Sequence, residues 1–140
     1  MDNLIVAVLI HEQTGSFEDL KGTLSDLSVE TYCAQEWSGA NDLIARYQPL
    51  VVFVDLPNWN KFSNDIHNTT AKTDHDFNIV VVGLLPDIER YVSAIERGAF
   101  SYIAPPLSHE GLTEVVHAAA MDARDRRGVV ARRPLAHTAP

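Results

Sequence analysis

Leu50-Val51-Val52-Phe53-Val54-Asp55-Leu56-Pro57 is five apolar residues followed by a carboxylate and, two places on, a proline. An unbroken apolar run of strand length is the pattern of a parallel strand covered on both faces, where no side chain turns to water. A carboxylate is costly inside a core, so Asp55 marks the point where this strand reaches solvent. Leu4-Ile5-Val6-Ala7-Val8-Leu9-Ile10 and Ile79-Val80-Val81-Val82 read the same way. Val29 to Ala34 alternates, as expected nearer a sheet edge. Tyr102-Ile103-Ala104 is a short fifth strand stopped by Pro105 and Pro106.

The segments between carry helical periodicity. Ser16 is a candidate N-cap with Asp19 three residues on, and Phe17, Leu20, Leu24 and Leu27 share one face. Ser38 is placed to cap a second helix presenting Leu43, Ile44 and Tyr47, ended by Pro49. A third helix is expected at about 60–71, since parallel neighbours need a crossover. Pro86 and Asp87 open a fourth, with Ile88, Val92 and Ile95 inward and Gly98 at its stop. Ser108 caps a last helix carrying Leu112, Val115, Val116 and Ala119.

Strands alternating with helices imply a three-layer, doubly wound parallel sheet with right-handed crossovers. In such sheets the functional crevice lies beyond the carboxyl ends of the strands. Four places qualify: His11-Glu12-Gln13, Asp55-Leu56-Pro57, Gly83-Leu84-Leu85 and Ala104-Pro105-Pro106. Glu12 and Asp55, at the tips of neighbouring strands, are candidates to share one hard divalent cation.

Composition narrows the rest. The chain has 140 residues, 46% of them hydrophobic, enough for one domain with a real core. No apolar run approaches the ~20 residues that span a bilayer, and the start lacks a signal peptide's basic flank, so a cytoplasmic protein is expected. Cys33 is the only cysteine. That excludes an internal disulfide and a multi-cysteine zinc site, and its apolar setting reads as a buried thiol. Residues 1–123 hold 18 acids and 6 bases, net −12, whereas 124–140 hold five arginines against Asp125, net +4. The acidic body repels nucleic-acid phosphates. Residues 124–140 read as an Arg-rich tail or linker following a domain at 1–123, and only there is nucleic acid a candidate partner.

One further stretch is distinctive: Ala94-Ile95-Glu96-Arg97-Gly98-Ala99-Phe100-Ser101-Tyr102-Ile103-Ala104-Pro105-Pro106. With the acid after the first strand, VVFVDLPNW around Asp55 and the order of elements, it resembles the response-regulator receiver (CheY-like) domains over about residues 3–122. The resemblance implies a flavodoxin-like five-stranded sheet in the order 2-1-3-4-5. It implies Asp55 as phosphoacceptor, Tyr102 as the switching aromatic, and Mg2+ held by Glu12, Asp55 and the backbone carbonyl of Pro57. It implies a histidine kinase or phosphotransfer protein as partner, a homodimer through the fourth helix, fifth strand and fifth helix, and no enzymatic activity in its own right.

Three positions depart from the family. His11 stands for one acid of the metal pair, and imidazole is a poor Mg2+ ligand, so the metal is expected to be weak or absent. Gly83 stands where Thr or Ser would bond a phosphoryl oxygen. Pro105 stands for the lysine that pairs with the phosphate, a charge-assisted contact of ~1.5–3 kcal/mol. Two versions follow: an atypical phosphoacceptor, or a pseudo-receiver that keeps the fold and acts by protein binding.

A flavodoxin-like cofactor binder shares the sheet, with Thr14-Gly15-Ser16 as a faint phosphate loop and Trp37 and Trp59 as stacking partners for a flavin, but Glu12 would face the phosphate. His67, His75, His109, His117 and His137 have no metalloprotease spacing, and no nucleophile elbow or Walker loop occurs.

Overall fold

The computed structural model describes residues 5–12, 15–72, 77–105 and 107–137. The elements run β1 (Val6–Ile10), α1 (Gly15–Asp26), β2 (Glu30–Ala34), α2 (Trp37–Tyr47), β3 (Val51–Asp55), α3 (Leu56–Lys72), β4 (Asn78–Val82), α4 (Ile88–Glu96), β5 (Ser101–Ile103) and α5 (His109–His137). All strand pairings are parallel and the sheet order is β2-β1-β3-β4-β5. This is the doubly wound, flavodoxin-like architecture that the apolar runs imply.

Period-two alternation sorts the central strands onto two faces. Ala7, Leu9, Val51, Phe53, Val80 and Val82 pack with Phe17, Leu20 and Leu24 of α1 and with Leu112, Val116, Ala119 and Ala120 of α5. Val8, Ile10, Val52, Val54, Ile79 and Val81 pack with Trp37 and Ile44 of α2, Trp59 and Ile66 of α3, and Ala94 of α4. Each fully buried aliphatic side chain contributes about 1.5–3 kcal/mol relative to exposure, so β1, β3 and β4 are the spine of the fold. Both tryptophans belong to this core.

Several local expectations shift. Ser16 lies within α1, which begins at Gly15. Ser38 lies within α2, which begins at Trp37, and its hydroxyl donates to Glu36 Oε1 at 3.1 Å rather than capping. Cys33 is exposed, because β2 is an edge strand with one face to solvent. In α4 only Ala94 is buried; Ile88, Val92 and Ile95 face outward. Asp87 does cap α4, accepting the amides of Glu89 and Arg90, and Gly98 follows its end at φ 104°, a left-handed geometry that favours glycine. Ser108 caps α5 through Gly111 N–H at 2.9 Å.

α5 does not stop at residue 123. Arg126 Nη2 donates to Asn78 Oδ1 at 2.6 Å and Nε to Asp122 Oδ2 at 3.2 Å, while Arg127 Nη2 donates to the Pro49 carbonyl at 2.5 Å. The boundary expected at 123/124 thus falls inside a helix whose next turn is anchored to the body. No helix among the described residues is long and apolar enough to cross a membrane. Expectations resting on Gln13, Thr14, His75 and Pro106 lie outside the described residues.

Candidate functional site

Three strand ends and the first turns of α3 meet at the carboxyl edge of the sheet. Asp55 is the last residue of β3, paired with Val82 of β4, and the helix begins at the next residue with no intervening loop. α3 therefore starts four residues before the expected position. The half-buried Asp55 carboxylate explains this, because it caps the helix. Its Oδ1 accepts the Asn58 backbone N–H at 3.0 Å and the Asn58 Nδ2 at 2.9 Å. A carboxylate at a helix N-terminus is further favoured by the helix dipole. Its Oδ2 accepts the Glu12 backbone N–H at 2.8 Å. Both oxygens of the candidate phosphoacceptor are thus engaged by donors of its own chain.

Asn58 is fully buried at 0% exposure, and its Nδ2 also donates to the Gln35 carbonyl at 3.1 Å. It ties the end of β3 to the chain leaving β2. Its signal in the sequence is the spacing, since Asp followed three residues later by an amide donor on a helix's first turn is capping geometry.

Glu12 meets Asp55 through its backbone, while its carboxylate turns to Lys61, with Oε2 at 3.3 Å from Nζ. Lys61, on the second turn of α3, had no signal in the sequence. His11 is buried, its ring stacked on Phe17 at 4.4 Å between centroids, and its backbone N–H donates to the Ala34 carbonyl at 3.0 Å. Pro57 sits in the first turn of α3, so its carbonyl is directed along the helix toward the amide of residue 61. Among the described residues, no three His, Cys, Asp or Glu side chains are grouped to hold a metal. A Mg2+ ion, which binds through one or two carboxylates and keeps several waters, would have to compete here with Lys61 for Glu12 and with N–H donors for Asp55.

Across the edge, Gly83 donates its N–H to the Ile103 carbonyl at 2.8 Å, holding β4 and β5 together past the end of the strand. Tyr102 is turned inward with 8% exposure, and its Oη donates to the Leu85 carbonyl at 3.1 Å. Its ring lies over Gly83, and a Cβ added at Gly83 would overlap Tyr102 Oη and Cζ. Burial raises the Tyr102 phenol above its ordinary value, with Arg90 pulling the other way and Asp87 adding to the rise. Pro105 is half-buried in the turn after β5.

Beside Tyr102 the surface is apolar. Leu84, Leu85, Ile88, Tyr91, Val92 and Ile95 are exposed, and a groove of ≈ 470 Å³ is lined by Pro86, Asp87, Ile88, Tyr91, Tyr102 and Ala104.

No protein-family model and no curated protein matches the chain. Solved structures do. NtrX from Brucella abortus, in complex with ADP, is similar over 93% of this chain at 25% identity and TM-score 0.77. The chain spans 29% of that NtrX chain. A response regulator from Thermotoga maritima aligns over 84% of this chain and 98% of its own, at 20% identity and TM-score 0.72. A response regulator receiver domain protein from Clostridium thermocellum covers 86% of this chain and 98% of its own, at 17% identity and TM-score 0.71. The fold is that of the CheY-like response-regulator receiver domains.

Proposed function

We propose that this receiver-fold chain is an atypical, non-enzymatic response-regulator module of a cytoplasmic two-component pathway, and that it signals by protein contacts rather than by phosphate on Asp55. The observation that carries this reading is the Tyr102 ring packed onto Gly83. With no side chain at Gly83 to move toward a phosphoryl group, the aromatic has no partner through which phosphate at Asp55 could be reported. The engaged Asp55 oxygens and the proline at Pro105 support the same reading. The contact surface is the apolar face of α4 with the Tyr102 groove, an exposed patch of the kind that marks association. Its partners are a histidine kinase or phosphotransfer protein, or a second copy through α4, β5 and α5.

The phosphoacceptor version keeps one supporting observation: Asp55 is half-buried, not sealed, at the crevice end of a central strand. Treatment with acetyl phosphate or beryllofluoride plus Mg2+, read by intact mass and amide NMR, separates the two. Wild type and Asp55→Asn are expected to behave alike, with no adduct and no shift. An Asp55-dependent phosphoryl adduct or beryllofluoride response would establish the phosphoacceptor version instead.

A further inference from the structure

The ends of β1 and β3 carry a cation of their own. Lys61 lies six residues past Asp55 on α3 and points back to the Glu12 carboxylate, Nζ to Oε2 3.3 Å. Glu12 is in turn joined to Asp55, since its backbone N–H donates to Asp55 Oδ2 at 2.8 Å. The two acids that sequence reading offers to a divalent ion are therefore satisfied from within, Asp55 by three N–H donors and Glu12 by an ammonium. Lys61 arrives from α3, on the far side of the site from Pro105, so its place in the sequence gives no hint of its place in space.

We propose that Lys61 is the resident counter-cation of this edge, and that its ammonium on Glu12 keeps divalent metal ions out of the site. A hard cation approaching Glu12 meets a positive charge already hydrogen-bonded to one of its two carboxylate oxygens, Oε2. Displacing that ammonium costs the pair, and leaving it in place sets like charges side by side. His11 in place of an acid and the engaged Asp55 oxygens already weaken the site, and Lys61 adds the charge that opposes a cation. Both side chains are partly exposed, Lys61 at 63% and Glu12 at 40%, so the ammonium can be removed without disturbing the core.

The test is divalent-ion binding by the whole chain, with Mn2+ as the paramagnetic probe of amide NMR signals at low ionic strength, where surface electrostatics are least screened. Wild type is expected to show no selective broadening at residues 10–12 and 55–58. Lys61→Gln is expected to show it there, with affinity about tenfold or more above wild type, the effect of one unit charge beside a divalent ion in a wet site. Glu12→Gln combined with Lys61→Gln should lose it again. Equal binding by wild type and Lys61→Gln, or no binding by either, overturns the proposal. No phosphodonor and no partner protein enters the measurement, so its outcome is independent of how the chain signals.

Discussion

The Tyr102 ring occupies the space above the α-carbon of Gly83, and its hydroxyl is fastened to the Leu85 carbonyl at 3.1 Å. Glycine is required there by space, not by backbone conformation. Gly83→Thr must either expel the ring or strain the edge of the sheet, and overpacking of this kind costs about 1–3 kcal/mol. Urea unfolding should show that loss. Tyr102→Leu, which shortens the intruding side chain, should cancel most of it in the double variant. Additive losses in the double-mutant cycle would mean the two residues are not in contact.

The same packing has an alkaline signature. Burial lifts the Tyr102 phenol above its ordinary value of 10.0. A group whose folded-state value is raised adds stability that is complete below its unfolded value and is lost as pH climbs through the folded one. Wild type should therefore lose stability above about pH 10 more steeply than Tyr102→Phe, which carries no ionisable group at that position. Phenolate absorbance at Tyr102, obtained by difference from Tyr102→Phe, should rise later than that of an exposed tyrosine.

Asp55 has a structural duty that any signalling role would share. Asp55→Ala removes the cap of α3, strands the Asn58 backbone N–H and leaves the Asn58 Nδ2 only its Gln35 acceptor, a loss of about 1–3 kcal/mol. Asp55→Asn keeps an oxygen for the Asn58 amide and should keep most of the stability. Thermal melts of the two variants check this. Equal melting temperatures would show that the cap carries no stability.

How much of this was legible depends on which neighbours a residue meets. β1, β3 and β4 announce themselves because burial on both faces leaves no polar position in Val6–Ile10, Val51–Val54 or Ile79–Val82. Asp55, Glu12, Gly83 and Tyr102 are found at strand ends because parallel topology puts them there. The α4 stripe misleads: Ile88, Val92 and Ile95 have one helical period whether they face a core or water, and the small Ala94 makes the real contact. Asn58 and Lys61 were missed because the helix was expected to start only after a loop. Once Asp55 itself is the cap, both fall in the first two turns, beside β1.

The arginines past residue 123 test where the folded unit ends. A tail would be removable without cost. Arg126 and Arg127 instead hold Asn78, Asp122 and the Pro49 carbonyl, near the start of β4 and of β3. Ending the chain at residue 123 should lower unfolding stability by about 1–2 kcal/mol after allowance for solvent at these partly exposed sites. Ending it after residue 128 should recover most of that, measured by denaturant melts of the three lengths.

The outward face of α4 separates packing from association. Ile88 is 79% exposed and Leu84 76%, and with Leu85 and Val92 they form an apolar surface beside the Tyr102 groove. If these side chains served the core, replacing Ile88 and Val92 by glutamate would cost several kcal/mol through buried charge. Facing water, the double variant should melt within a degree or two of wild type, because exposed sites away from special geometry change stability by only about 0.5 kcal/mol. The consequence should appear in association. A specific pair of copies buries about 800 Å² on each partner, so two glutamates at its centre leave unpaired charges that no neighbouring contact repays. Light scattering across a concentration series should show wild type moving from monomer toward dimer and Ile88→Glu/Val92→Glu remaining monomeric. A wild type that stays monomeric at the highest concentration would assign the face to a different protein, and the same double variant should then lose that partner while keeping its fold.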